Sequence, residues 1–476
     1  MSKSIAKNTA FMTMASVLQK IIAFVYFTLI ARHVGAEDTG KYFTALAFTA
    51  VFVVFVDLGF SNVLIREAAK AKEKISQYLA TVLSVKILFG LLTYVAAVLV
   101  INLLGYSIEI KHLVYLSAVT MLFDSLHMTL YGVLRAIGDL KWEAAGIVGS
   151  QTITLVLGTF FLYTNKPLIF LILAFTVSSV LNLFYATSVL YFKYKTPLKP
   201  KFDKVVFGYL GKIAIPFALA AIFARVYSYA DSIILSKLAG DTAVGWYSIA
   251  HKISYSFQFI PLALIAALYP RFSEYFSRDK DRLAYIFQTG LKYLLIIAFP
   301  IAVGIGVLAE DIVLYIYTPE YVNSILPLQI LMVGIVFAFA SFPIGAFLNA
   351  CNKQVHQTII VAIAMTANLV LNLILIPRYG LVGAAISSLV GSLLLTKLGY
   401  WIVPKVTKIS HAFIFKTIMQ LLLSAGVMGF TVFYVNLHYH FIFAIITGAL
   451  VYPAMLFATK AVTKRQLKEA VILLRQ

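Results

Sequence analysis

The sequence predicts an all-α integral membrane protein with about 14 transmembrane helices, in which two parallel six-helix repeats are followed by two C-terminal helices. Three observations support this fold class: the composition, a series of long apolar runs and a motif that recurs later in the chain. Of the 476 residues, 61% are hydrophobic and 12% are charged. Soluble globular chains carry about 25% charged residues, so this composition is typical of a membrane protein.

The long apolar runs have the length of membrane helices. A bilayer core needs about 20 apolar residues per helix, and the runs lack the alternation of barrel strands. The first run exceeds the roughly 7–15 residues of a signal-peptide core, so we expect a retained helix there. The predicted spans are 8–30, 42–59, 78–104, 112–134, 143–164, 167–192, 211–235, 247–268, 284–308, 324–348, 357–376, 381–402, 412–436 and 440–458.

The basic residues predict the orientation of the chain. The net charge is +20, but the cations recur in short loops and form no aromatic-laced patch, so we expect no nucleic-acid partner. With a cytoplasmic N-terminus, the inner segments carry 26 Lys and Arg and the outer loops carry six. This asymmetry predicts a plasma-membrane protein with both termini in the cytoplasm. The six outer residues are Arg32, Lys41, Lys111, Lys166, Lys237 and Arg378.

A glycine motif indicates that the chain is duplicated. Gly35–Tyr42 and Gly240–Tyr247 both read Gly, four residues, Gly, one residue, Tyr, at an offset of 205 residues. Glycine pairs with polar residues between them favour tight turns. The same offset relates Lys20 to Arg225. We interpret the motif as the outer turn after the first helix of each repeat, with a hinge or packing role.

Two further pairs support the duplication. Lys86 and Lys292 are related by an offset of 206, and Leu134–Gly138 resembles Leu348–Asn352. Because each repeat has an even number of helices, the second copy keeps the orientation of the first. The repeats should therefore be parallel, about an axis along the membrane normal.

A basic segment, Tyr191–Lys204, divides the repeats. It contains two prolines and five lysines, which is typical of a surface connection. Two segments, 310–323 and Lys460–Gln476, have the pattern of short surface helices, and a plain loop stays open for both. The predicted divisions are an N-terminal lobe (1–192), a cytoplasmic linker (193–210), a C-terminal lobe (211–402) and two extra helices with a basic amphipathic tail (403–476).

The sequence carries no catalytic motif that we recognise. It lacks GxxxxGK[ST], HExxH, CxxC and GxSxG patterns, so we expect no enzyme activity, no cofactor and no metal. Asp279–Asp281 has the form of a DxD metal motif, but cations surround it and we interpret it as a solvated charge cluster. The single cysteine, Cys351, cannot form an intramolecular disulfide.

The candidate substrate-binding residues are cations inside the membrane. A charge at the bilayer centre costs about 2.5–3.5 kcal/mol on insertion scales, so it should face an interior or a partner. Lys20 and Arg225 lie near the middle of their spans, and Lys86 and Lys292 lie deep in theirs. We predict that these four line a cavity for an anion, above all phosphate or pyrophosphate, and structural ion pairs are the alternative.

Two acidic residues are candidate charge partners or coupling groups. Asp124 lies mid-span in the fourth helix and Asp231 lies in the seventh. Arg225 and Asp231 are separated by about 600° of helical rotation, so they should not pair within the helix. Asp57 ends the second span, where we expect water or a helix terminus. Three further cations near span ends can snorkel to the interface: Lys212, Lys252 and Lys397.

Several stretches together carry a family resemblance that covers essentially the whole chain. They are Ala31–Tyr42, Asp57–Ser61 with Arg66, Arg225–Asp231, Gly240–Tyr247 and Pro377–Ala385. In this order they resemble the landmarks of the polysaccharide flippases, which belong to the multidrug/oligosaccharidyl-lipid/polysaccharide flippase superfamily. The best-matching residues are turn and packing residues, so the resemblance bears first on the fold.

The resemblance implies two six-helix lobes forming a V around a central cavity. It also implies alternating access that carries a lipid-linked oligosaccharide, on a polyprenyl (pyro)phosphate, from the cytoplasmic to the outer leaflet for surface glycan assembly. The implied partners are this substrate, the lipid bilayer, and glycosyltransferases or a polymerase of the same pathway. We expect a monomer.

Other functions stay open at this point. A cation-coupled multidrug exporter of the same superfamily should favour buried acids, whereas the deepest charges here are largely basic. A membrane glycosyltransferase or polymerase should place acidic catalytic residues in sizeable outer loops, whereas the outer loops here are mostly short. A purely structural membrane protein has no positive feature in its favour.

Overall fold

Long apolar runs without strand-like alternation produce a structure made of helices. The computed structural model describes residues 2–463, with side chains from Phe11 onward other than that of Pro216. Within this range the chain forms fifteen α-helices and no strand. The helices are α1 (Ser2–Asp57), α2 (Phe60–Lys70), α3 (Ile75–Leu103), α4 (Ile108–Ile137), α5 (Lys141–Tyr163), α6 (Ile169–Ser188), α7 (Lys204–Ala239), α8 (Asp241–Ser256), α9 (Phe259–Arg278), α10 (Lys280–Val307), α11 (Ala309–Ile316), α12 (Ile325–Ala350), α13 (Gln354–Ile402), α14 (His411–His438) and α15 (Phe441–Ala458).

The predicted membrane helices are present. The described part of the chain has 12 segments long and apolar enough to cross a membrane. Two of them, Phe11–Asp57 and Gln354–Lys405, span 47 and 52 residues, and their backbones break at Gly35 and Gly380. A bilayer crossing needs about 20 residues, so each of these two can cross twice. The structure is therefore consistent with the 14 predicted crossings.

The helices divide into two units, Met1–Ser248 and Ile249–Gln476, with the boundary inside α8. The lobe division predicted at 193–210 from the basic linker stays a prediction. That region contains a non-helical segment, 195–203, which ends where Asp203 caps the start of α7 with its carboxylate.

The core of the first unit lies among α2, α3, α4 and the start of α7. Leu64, Leu79, Leu134 and Leu210 are buried there. One face of α3, by contrast, exposes a row of leucines: Leu88, Leu92, Leu99 and Leu103. Their spacing places them on one side of the helix. An exposed apolar face of this size suits contact with lipid.

The core of the second unit lies among α9, α10, α12 and α14. The rings of Phe272, Phe287 and Phe347 pack with centroids 4.9–6.5 Å apart. Helix α14 packs against α10, and α15 packs against α14. Tyr452 of α15 donates a hydrogen bond to the carbonyl of Ile296 at 2.8 Å. The two C-terminal helices are therefore an integral part of the second unit.

The duplicated glycine motif has the same backbone geometry in both copies. Gly35 has φ 79° and ψ 177°, and Gly240 has φ 86° and ψ 172°. This region of backbone space is essentially restricted to glycine. Each glycine ends the first helical stretch of its repeat and starts the next. The sequence match at an offset of 205 residues thus reflects a true structural repeat.

The second glycines of the two motifs lie in direct backbone contact within the first unit. A Cβ atom on Gly40 would overlap the carbonyl of Asp241, and a Cβ atom on Gly245 would overlap the carbonyl of Ala36. Ala36 corresponds to Asp241 by the repeat offset, as Gly40 does to Gly245. The contact is therefore reciprocal, and it gives the motif the packing role expected from its sequence.

The shorter sequence similarity between the repeats, Leu134–Gly138 and Leu348–Asn352, also has a structural counterpart. Gly138 ends α4 with φ 86°, and Asn352 follows α12 with φ 59°. Both have the left-handed conformation that terminates many helices and that glycine and asparagine adopt most readily. The predicted helix before Pro319 is present as α11. The predicted helix at Lys460–Gln476 lies beyond residue 463 for most of its length, outside the described residues.

Candidate functional site

Lys86 lies in α3 and its side chain is buried, with 1% exposure. Its Nζ is 2.5 Å from Oδ1 of Asp57. It also donates hydrogen bonds to Oγ of Ser61 at 2.7 Å and to the carbonyl of Ser125 at 3.3 Å. A lysine ammonium has three donors, so these three partners account for its capacity. The geometry of this predicted site residue is that of a structural ion pair.

A break in the helix positions the carboxylate of Asp57. Helix α1 ends at Asp57, and Leu58 and Gly59 then have φ of 41° and 81°. The Asp57 carboxylate accepts hydrogen bonds from the backbone N–H groups of Gly59 and Ser61 at 3.2 and 3.3 Å and from Oγ of Ser61 at 2.5 Å. The expected helix terminus is therefore present at Asp57. The pairing with Lys86 was not foreseen from the sequence.

Asp124 lies on α4 in a polar group that joins α4 to α6. Oγ of Ser179 donates to its Oδ1 at 2.5 Å, and Nδ1 of His127 lies 3.7 Å from the same oxygen. The Asp124 side chain is 48% exposed, whereas that of His127 is buried. Among the described residues, Nδ1 of His127 has no hydrogen-bond partner. Sequence reasoning missed His127, although its position three residues after Asp124 places both on one helical face.

Asp231 lies on α7 and is buried, with 2% exposure. Its Oδ1 accepts a hydrogen bond from the N–H of Ser232 at 2.7 Å, and its Oδ2 accepts one from the hydroxyl of Tyr247 at 2.5 Å. Tyr247 is the last residue of the second glycine motif. The motif therefore holds this carboxylate in place, in addition to setting the backbone contact.

Lys20 and Arg225 lie on repeat-equivalent helices. Lys20 is partly buried on α1, and Arg225 is exposed on α7. The two helices pack against each other within the first unit. The role of the two cations in substrate binding stays a prediction.

Lys292, on α10 of the second unit, is also buried, with 8% exposure. Its Nζ lies 5.8 Å from the ring centroid of Phe413, near the start of α14. This distance allows a cation–π interaction. The environment of Lys292 therefore includes an aromatic ring from one of the two added helices.

Outside the spans, Glu67 belongs to a charge cluster at the end of α2. Lys70 and Tyr209 each donate a hydrogen bond to its carboxylate at 2.8 Å, and Nε of Arg66 lies 3.3 Å away. Burial alone would raise the pKa of Glu67, but these hydrogen bonds and positive charges outweigh it and lower the pKa below its ordinary value. The residue connects α2 to α7 through Tyr209.

The fold defines a class: a multi-pass helical membrane protein built from two repeats, with cations inside its spans. The family model described as polysaccharide biosynthesis protein matches residues 5–276, which is more than half of the chain. A second model, MatE, matches residues 216–374. The chain belongs to the polysaccharide biosynthesis protein family, which confirms the resemblance seen in its sequence.

Similar proteins agree with this assignment. A probable low-salt glycan biosynthesis flippase of Haloferax volcanii is 23% identical, over 81% of this chain and 80% of the relative. A putative O-antigen transporter of Shigella flexneri is 26% identical, over 81% of this chain and 94% of the relative. Among solved structures, the lipid II flippase MurJ in an inward closed conformation aligns with a TM-score of 0.77 at 19% identity, covering 93% of this chain and 97% of that one. This structural likeness establishes the fold.

Proposed function

We propose that this protein is a transporter, not an enzyme, that moves a polyprenyl-(pyro)phosphate-linked oligosaccharide from the cytoplasmic to the outer leaflet. The observation that carries the proposal is the family match over residues 5–276. Relatives named as a glycan biosynthesis flippase and an O-antigen transporter support the substrate class. The transported molecule would serve surface polysaccharide or glycan assembly. Glycosyltransferases of the same pathway would supply it, and glycosyltransferases or a polymerase would consume it.

The mechanism we propose is alternating access of two lobes, 1–192 and 211–402, in a monomer in the plasma membrane with both termini cytoplasmic. In this mechanism the sugar head enters the central cavity that the family resemblance implies, while the lipid tail stays in the bilayer. A phosphate group is an anion that Arg and Lys bind well, Arg through paired donors and Lys as a point charge. We assign Lys20 and Arg225 to this contact because of their depth and their repeat equivalence.

Of the other predicted site residues, Lys292 remains a candidate for substrate contact. Lys86 has a different geometry, since its three donors already have partners within the first unit. We therefore propose that Lys86 holds Asp57 and Ser61 in place and does not contact the substrate. Asp124 and Asp231 remain candidates for charge balance or ion coupling.

The membrane potential can contribute to such transport. With an inside-negative potential, outward movement of an anion is favoured by about 2.3 kcal/mol per charge per 100 mV. Cations of the protein would neutralise the phosphate during its passage. Because these cations stay in the protein, the outward movement of the anion would still be favoured by part of the membrane potential.

The test is transport in proteoliposomes with a fluorescent polyprenyl-pyrophosphate sugar. Lys20→Ala and Arg225→Ala should each reduce the rate about tenfold or more, because a lost hydrogen bond to a charged group is worth about 1.5–3 kcal/mol. Lys166→Ala, in an exposed loop, is the matched control and should transport normally. Wild-type rates in both cavity variants would refute the site assignment. The absence of transport by the wild-type protein would refute the substrate class.

The second candidate function is a cation-coupled multidrug exporter, which the MatE match over residues 216–374 favours. Such an exporter should protect cells against organic cations, and its substrates should stimulate ion flux in proteoliposomes. Resistance without movement of the lipid-linked sugar would establish this alternative.

A further inference from the structure

The second unit contains an apolar slot between α10, α12, α13 and α14. Its volume is about 630 Å³. Leu295, Phe299, Ala340, Ile344 and Ile418 form its walls. The hydroxyl of Thr396, which also lines the slot, donates to the carbonyl of Phe337 at 2.6 Å, so it adds no unpaired polar group. Cavities of this size hold small-molecule ligands in other proteins, where about 300–1,000 Å³ is usual.

The slot opens between exposed apolar side chains. Val333, Leu393, Phe415 and Leu422 line it and are between 39% and 65% exposed. These residues belong to segments long and apolar enough to cross a membrane, and exposed apolar surface of this kind suits contact with lipid. A ligand can therefore enter the slot sideways from the bilayer. Because protein interiors are close-packed, an apolar space of this size that is open to lipid should be filled by hydrocarbon.

Three residues with polar or charged ends also line the slot: Lys397, Tyr400 and His411. The lining itself is almost wholly apolar, so these side chains meet the slot mainly through their carbon atoms, and the hydroxyl of Tyr400 lies 2.6 Å from Nδ1 of His411. Lys397 and His411 are exposed, and among the described residues Lys397 has no carboxylate partner. Lys405 follows on the connection between α13 and α14, at the side predicted to be cytoplasmic. The slot is thus an apolar space with an exposed lysine and an exposed histidine beside it.

We propose that this slot binds an anionic phospholipid of the bilayer, with one acyl chain in the apolar interior and the phosphate beside Lys397 and His411. The positive charge of the exposed Lys397 is complementary to a phosphate, and a bilayer places headgroups near the ends of membrane helices. A single acyl chain matches the limited volume better than the longer tail of a polyprenyl carrier. The proposal does not depend on the transported substrate.

Lipid titration of the purified full-length protein tests the proposal. Phosphatidylglycerol and phosphatidylcholine with identical acyl chains are added to detergent-solubilised protein, and bound lipid is counted by native mass spectrometry while Tm is followed. A ligand that binds only the folded state raises Tm in proportion to its affinity. We expect phosphatidylglycerol to bind at least about tenfold more tightly than phosphatidylcholine, in keeping with the strength of hydrogen bonds to charged groups.

Two kinds of variant locate the binding. Lys397→Gln with His411→Gln should abolish the preference for phosphatidylglycerol, whereas Lys405→Gln, a lysine outside the slot, should retain it. Ala340→Phe should fill the interior and reduce binding of both lipids. The exposed Lys397 and His411 changes are not expected to affect folding, so they remain informative if the Ala340 variant is unstable.

Three outcomes would overturn the proposal. Equal binding of both phospholipids would show that Lys397 and His411 do not select a headgroup. An equal loss with Lys405→Gln would assign the effect to general surface charge. Preferential binding of a polyprenyl phosphate with the same dependence on Lys397 would show that the slot belongs to the transported lipid.

Discussion

The two buried lysines related by the repeat, Lys86 and Lys292, have different environments. Lys86 contacts the Asp57 carboxylate, the Ser61 hydroxyl and a backbone carbonyl. Lys292 lies near the ring of Phe413, on a helix that the first unit does not have. The repeat therefore predicts where a cation is buried, but the surrounding helices decide what that cation does.

The largest expected effect is on the Lys86 ion pair. Lys86→Met should destabilise the protein by at most about 3–5 kcal/mol, because it leaves Asp57, whose side chain is 29% exposed, without its counter-ion. Combining it with Asp57→Asn should recover part of this loss. Thermal unfolding in detergent measures both, with Lys292→Met as the matched variant. If Lys292→Met were as damaging as Lys86→Met, the two environments would be energetically equivalent and the comparison would fail.

An intermediate effect is expected at the reciprocal glycine contact. Gly40→Ala and Gly245→Ala should each cost about 1–3 kcal/mol, because the added Cβ would overlap a backbone carbonyl that cannot rotate away. The two costs should be similar, because Gly40 faces the carbonyl of Asp241 and Gly245 faces that of Ala36, and these two contacts correspond by the repeat offset. The control is Gly426→Ala on α14, where a Cβ atom would meet no other atom within 4 Å. If the unfolding curves showed that alanine is tolerated at one of the two glycines but not at the other, the contact would not be reciprocal.

The smallest expected effect is a pH dependence at Glu67. Its pKa is lowered in the folded state, so it stabilises the protein above the unfolded-state pKa of about 4.3, and this contribution is lost as the pH falls through the folded value. Glu67→Gln should therefore be less stable than wild type at pH 6, and the difference should shrink at pH 4. Glu73→Gln, at an exposed position, should not show this change. A stability difference that does not vary with pH would contradict the assignment.

Much of the fold could be predicted from the sequence because the bilayer imposes simple rules. Span length identified the membrane helices, and the matching spacing of the motifs at Gly35 and Gly240 identified the repeat. The glycines were informative because their backbone conformation excludes other residues, and such a requirement is visible in a single sequence. Gly35 and Gly380 each break the helix at a single residue, so the two predicted spans on either side of each glycine follow one another with almost no loop between them.

The candidate site was less predictable because it depends on contacts between distant segments. Depth within a span identified Lys86 as buried, but its pairing with Asp57 requires the break at Leu58 and Gly59 and the packing of α2 on α3. The partner of Asp231, Tyr247, lies within a motif that we had recognised, yet nothing in the spacing alone indicated that contact. The slot in the second unit was invisible in the sequence, since a cavity is defined by how four helices fail to fill a space.

The glycine contact has a consequence for the origin of the chain. At the interface of a two-fold symmetric homodimer each contact occurs twice, because a residue of either subunit meets the same partner residue of the other. The contact between the two glycine motifs has this form. A six-helix ancestor carrying one copy of the motif would present a surface complementary to itself. Joining two such chains through a linker turns an encounter between molecules into one within a molecule and raises the effective concentration of the faces. Gene fusion would then have preserved an existing dimer contact, with Gly40 and Gly245 as its record.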